Sequence, residues 1–146
     1  MTQLLANRTT IITGAASPRG LGKATATLFA EHGARVVILD LDASQTQAAA
    51  ADLPGTGHIG RACDVTDRTA CLSVIKELIG TLGQIDVLVN NAGITQPLKL
   101  MEIAPENYDA VLDVNLRGTL YMSQALIPHM REHARGSIVN MSSVSA

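Results

Sequence analysis

Thr9-Thr10-Ile11-Ile12-Thr13-Gly14-Ala15-Ala16-Ser17-Pro18-Arg19-Gly20-Leu21-Gly22 decides the fold. The first five residues, all β-branched, read as a buried strand. Gly14 to Gly22 reads as a turn, and a helix follows that repeats Leu21, Ala24 and Leu28 on one face until Gly33 stops it. Strand, glycine turn and helix in that order begin an alternating α/β pattern.

The alternation continues outward from this stretch. Arg35-Val36-Val37-Ile38-Leu39-Asp40 is a near-continuous apolar run, the kind a strand buried on both faces shows. Ala43 to Leu53 is alanine-rich and helical, and Pro54-Gly55-Thr56-Gly57 breaks it. His58 to Asp64 reads as a third strand. Thr66 is the expected cap of a helix whose Ala70, Cys71, Val74, Ile75, Leu78, Ile79 and Leu82 recur at helical spacing, with Gly83 at its end. Ile85 to Val89 is a fourth strand. After a turn-rich loop, Pro105 opens a helical pattern that runs to about His133, with a kink or an early end expected at Pro128. Ser137 to Ser143 completes five strands and four helices. Short strands alternating with helices predict a parallel sheet covered by helices, a doubly wound α/β domain spanning 1–146.

Composition narrows the function classes. Hydrophobic residues are 47% of the 146, enough for a packed core in one domain. Charged residues are 16% with a net charge of −2 and no basic run, so electrostatic binding to nucleic acid or an anionic membrane is not expected. Cys63 and Cys71 read as reduced and buried, the N-terminal residues do not resemble a secretory signal, and no apolar run approaches a membrane span. The expected compartment is the cytoplasm.

Glycine triplets also occur in strand–helix turns for packing alone. What gives Gly14, Gly20 and Gly22 a further meaning is Asp40, eighteen residues beyond Gly22 at the end of the second strand. That is where a dinucleotide site places a carboxylate to accept hydrogen bonds from the adenosine ribose, while the glycine turn and helix N-terminus receive the pyrophosphate.

Four motifs in order then make the pattern specific. Thr13 to Gly22, the pair Asp64-Val65, Asn90-Asn91-Ala92-Gly93 and Asp113-Val114-Asn115-Leu116-Arg117-Gly118 together resemble the short-chain dehydrogenase/reductase family over the whole chain. The resemblance implies a Rossmann-type sheet truncated after its fifth strand, with the later catalytic and substrate-binding part absent. It implies that Ser17, Arg19 and Leu21 join the glycines at the cofactor and that Asp64 and Val65 border the adenine. By the same resemblance Asn91, Ala92 and Gly93 border the cofactor ribose, and Asn90 ties the central strands together. The chain departs from the family in one place. Five residues, Ala15 to Arg19, separate the first two glycines where the family usually has three, so two extra residues should bulge outward. Asp40 would repel a 2′-phosphate and accept from a 2′-hydroxyl, which favours NAD; Arg19 argues for NADP, but from farther away.

In the family a Tyr is the general acid/base, a Lys lowers its pKa, a Ser holds the substrate oxygen and an Asn holds a relay water. Asn115 matches that Asn, and Ser143, ahead of Ser142, matches the Ser. Strand alternation would send Ser142 and Ser143 to opposite faces. The Tyr-x-x-x-Lys pair has no counterpart in residues 1–146, because Tyr108 and Tyr121 are followed four residues later by Leu112 and Ala125. The expected activity is hydride transfer between a nicotinamide and a small-molecule alcohol or ketone in the parent protein, with this chain alone inactive. Oxoacyl-thioester, sugar, steroid and simple alcohol substrates all fit. A non-enzymatic nucleotide-binding module and an interaction protein with a decayed site are the alternatives. His129 and His133 could share a metal, but no third ligand is evident, and a solvated helix end is the expectation there. The resemblance implies that a later helix of the parent packs beside the Pro105 to His133 helix. An uncovered stripe of Val111, Leu112 and Leu120 and an open strand edge therefore predict self-association of this chain alone. Separately, the resemblance implies dimers or tetramers of the parent.

Overall fold

In a computed structural model, described over residues 3–143, five parallel strands form one sheet in the order β3-β2-β1-β4-β5. The strands are β1 (Thr9–Thr13), β2 (Arg35–Asp40), β3 (Ile59–Ala62), β4 (Val87–Asn90) and β5 (Ser137–Asn140). β1 lies at the centre, with Ile11 level with Val37 on one side and Leu88 on the other. The first three strands wind one way from β1 and the last two the other way. Such a reversal opens a crevice at the carboxyl ends of β1 and β4.

Helices cover both faces, as the period-2 alternation of the strands requires. On one face Ile12, Val36, Ile38 and Val89 pack on α1 (Leu21–Glu31) and α2 (Ala43–Ala51). On the other, Ile11, Val37, Leu39 and Leu88 pack on α3 (Arg68–Leu82) and α5 (Gly118–Glu132). α1 does not bury the face its leucines suggest. Leu21 is 71% and Leu28 51% exposed, while Gly22, Lys23, Ala26 and Ala30 face the sheet. Small residues let the helix approach closely, and the buried Lys23 ammonium donates to the Ala49 carbonyl at 2.7 Å and pairs with Asp52.

Three further details depart from the sequence pattern. Asp67, not Thr66, caps α3, accepting from the N–H groups of Thr69 and Ala70. Thr66 instead donates through its N–H and hydroxyl to Asp64. The helix expected from Pro105 is broken by a π-helical turn at Asp113–Arg117 between α4 (Pro105–Leu112) and α5, and it runs through Pro128 to Glu132 rather than ending there. β5 stops at Asn140, so Ser142 and Ser143 lie beyond the strand and its alternation.

At the end of the sheet away from the crevice, the buried Asp86 carboxylate accepts from Thr9 N–H and pairs with Arg8 and Arg135. Within the described residues no helix is long and apolar enough to cross a membrane.

Candidate functional site

The crevice is a cleft of about 680 Å3 at the carboxyl ends of the strands. Gly14, Gly20, Leu21, Asp40, Asp64, Val65, Asn91, Ala92 and Gly93 all line it, together with Leu39, Cys63 and Val114. Nine of the residues singled out in the sequence thus share one surface. Gly22, Ser17, Arg19, Asn115 and Ser143 do not line it.

The glycines serve different purposes. Gly14 has φ +65°, and a Cβ there would sit 2.7 Å from the Ala92 Cα. A Cβ on Gly22 would meet the Asn91 amide at 2.6 Å and the Gly14 carbonyl at 2.7 Å. Both are therefore required by the contact between the turn and the loop after β4. Gly20 precedes α1 with extended backbone and no side-chain cap, so the first-turn N–H groups of α1 stand at the rim of the cleft. Ser17, Pro18 and Arg19 project from the turn as an exposed excursion, closed by Gly20 N–H donating to the Ser17 carbonyl at 3.0 Å.

Thr13 has a role that the sequence pattern does not assign. The residue is buried, and its hydroxyl accepts from the N–H groups of Asn91 and Ala92. Asn91 answers by donating its amide to the carbonyls of Thr13 and Gly14, both at 2.9 Å. These four bonds fasten the glycine turn to the β4 loop. A hydroxyl buried at the carboxyl end of β1, directly before Gly14, is the available signal. Asn90 donates to Asn140 and Ser123, joining β4 to β5 and α5, while its own amide oxygen is buried without a protein partner among the described residues.

Asp40 stands where β2 meets the cleft. Its carboxylate accepts from Ala16 N–H at 3.0 Å and from Leu41 N–H at 2.9 Å. A carboxylate has about four acceptor directions, so two remain for a ligand. On the opposite wall, Gly118 lets α5 meet Val65, since a Cβ there would lie 2.6 Å from the valine Cγ2. Cys63 and Cys71 are buried and free; a hydrogen bond with Cys71, then burial, holds the Cys63 thiol far above its ordinary range and therefore protonated.

Asn115 lies in the π-helical turn, a feature often found at functional sites. Its amide oxygen accepts from Ile94 N–H at 2.8 Å and its NH2 donates to the Ile94 carbonyl at 2.9 Å. The side chain thus holds the loop after Gly93. Ser143 is exposed beyond β5.

His129 corrects the expectation of a solvated helix end. It is buried, and its Nε2 accepts from Ile85 N–H at 3.2 Å. Burial, then the neighbouring His133, pushes its pKa below the ordinary value. Among the described residues no group of three His, Cys, Asp or Glu is placed to hold a metal.

An uncapped helix N-terminus, a carboxylate with unused acceptor directions and an apolar floor of Leu39, Val65 and Ala92 suit the phosphates, ribose and adenine of a dinucleotide. Comparison with known proteins agrees with that geometry. The sequence model of the short chain dehydrogenase family matches residues 8–146. A short-chain type dehydrogenase/reductase of Sinorhizobium fredii is 51% identical over 98% of this chain. The (2S)-[(R)-hydroxy(phenyl)methyl]succinyl-CoA dehydrogenase subunit BbsD of Thauera aromatica and the 3-oxoacyl-[acyl-carrier-protein] reductase of Thermotoga maritima are each 41% identical, over 94% and 96% of it. The chain spans 58%, 55% and 57% of the lengths of these three relatives. With the family model matching nearly end to end, the chain belongs to the short-chain dehydrogenase/reductase family.

Proposed function

We propose that the protein carrying this chain is an NAD-dependent oxidoreductase acting on a secondary alcohol or its ketone. The observation that carries this reading is the Asp40 carboxylate, set at the cleft beside the uncapped start of α1. Its remaining lone pairs accept the two ribose hydroxyls, and its charge opposes a 2′-phosphate. The bound nicotinamide would supply or take the hydride. Gly14, Gly20, Leu21 and Gly22, with the excursion bearing Ser17 and Arg19, form the phosphate end. Asp64 and Val65 border the adenine, and Asn91, Ala92 and Gly93 the cofactor ribose. Ser143 orients the substrate oxygen. Asn115 contributes by fixing the loop at Ile94, leaving its second amide hydrogen for a relay water.

The names of two relatives point toward thioester substrates, oxoacyl or hydroxyacyl, as the first class to try. The free thiols of Cys63 and Cys71 support a cytoplasmic setting. Membership of a family whose members are commonly oligomeric supports a homo-oligomer.

Titration with NADH and NADPH tests the cofactor assignment. Wild-type protein is expected to prefer NADH, and Asp40→Ala to narrow the ratio at least tenfold, roughly the worth of a charge-assisted hydrogen bond. An unchanged ratio removes Asp40 from the site. A second reading concerns residues 1–146 by themselves. They contain no Tyr-x-x-x-Lys, which favours nucleotide binding without turnover. Turnover by this polypeptide alone overturns that reading.

A further inference from the structure

The lengthened glycine turn is fastened to the sheet through Asp40. Ala15 and Ala16 are buried, while Ser17, Pro18 and Arg19 are exposed. The Asp40 carboxylate takes the Ala16 N–H at 3.0 Å, at the point where the buried part of the turn gives way to the excursion. Upstream, Gly14 N–H donates to the Leu39 carbonyl at 2.7 Å; downstream, the excursion closes on itself, Gly20 to Ser17, with no other backbone tie among the described residues. The Ala16 bond is thus the last tie from β2 before the residues that lead into α1.

We propose that Asp40 is a positioning residue for the pyrophosphate as well as an acceptor for the adenosine ribose. By holding Ala16 it sets the excursion, and through it Gly20 and the first N–H groups of α1, at the height where phosphate oxygens meet them. The two tasks use different lone pairs of one carboxylate, so neither excludes the other. Substituting Asp40 to admit a 2′-phosphate therefore loosens the phosphate end for both nucleotides, and the variant loses NADH without becoming a good NADPH binder. This inference rests on the dinucleotide reading above.

Calorimetric titration of the full-length protein with ADP and with 2′,3′-dideoxy-ADP separates the two tasks, because the second probe keeps the pyrophosphate and lacks the ribose hydroxyls. Asp40→Ala is expected to weaken dideoxy-ADP about tenfold. Asp40→Asn, whose amide oxygen can still accept from Ala16, is expected to stay within about threefold of wild type on dideoxy-ADP while losing more on ADP. Should Asp40→Ala not fold, Asp40→Ser, one bond shorter than aspartate, takes its place with the same expectation. The inference is overturned if the alanine or serine variant binds dideoxy-ADP as wild type does while losing ADP; the dinucleotide reading then stands. If wild-type protein binds neither probe, the dinucleotide reading falls first and takes this inference with it.

Discussion

The two faces of the sheet are packed by opposite means. Against α1 and α2 the core is made of Ala26, Ala30, Ala49 and Ala50, with Gly22 and Gly60 admitting backbone to backbone. Against α3 and α5 it is made of Val74, Ile75, Leu78, Met122, Leu126 and Met130. A face built from small residues has no room to give, because its contacts are main chain. A face built from long side chains has many apolar atoms to lose. The first should suffer from additions and the second from deletions.

The largest effect is expected from Gly60→Val. A Cβ at Gly60 would overlap the Thr46 carbonyl group of α2, and neither partner is a flexible side chain. We expect a loss of about 3 kcal/mol or more by denaturant titration. A loss below about 1 kcal/mol would break the contrast at its root. Leu126→Ala, at a fully buried position on the opposite face, should cost about 3 kcal/mol through transfer and cavity terms.

His129 sharpens the comparison with pH, since a titratable group is tolerated on the large-residue face only when neutral. Its folded pKa lies below the unfolded value of about 6.5, so the unfolded chain takes up the proton first. The stabilisation is therefore complete above about pH 6.5 and is lost as pH falls below it. His129→Gln should remove this part of the pH dependence. A wild-type stability that does not decline between about pH 6.5 and 5 would show that the Ile85 bond is not maintained. The smallest effect belongs to Gly80, exposed in α3, where an added Cβ would meet nothing within 4 Å among the described residues. Gly80→Ala should raise stability by about 0.5–1 kcal/mol, the helix propensity alone.

The same contrast governs what is legible in the sequence. β1 and β2 fall where their β-branched runs lie, because a strand buried on both faces favours such residues along its length. α3 is legible from large residues at helical spacing. The buried face of α1 is not, because glycine and alanine carry little hydrophobic signal while Leu21 and Leu28 carry much. In the candidate site, Gly14, Asp40, Asp64 and Asn91 are recognisable by order and spacing, and the cleft gathers them. Tertiary partners are not recognisable. Asp67 displaces Thr66 as the cap once Thr66 is engaged by Asp64. The buried His129 takes its hydrogen bond from Ile85 N–H, 44 positions away, and no local pattern reports that. The π-helical turn leaves residue composition unchanged and shows only in the backbone.

Asp86 has a consequence during synthesis. Its carboxylate joins Arg8, ahead of the first strand made, to Arg135, ahead of β5. The central strand likewise waits for β4, whose residues emerge about 75 positions later, before its second edge is paired. On the ribosome β1 therefore keeps an unpaired edge until β4 emerges, and Asp86 gains its second arginine only when Arg135 follows. Pairings this distant in sequence close slowly compared with local ones.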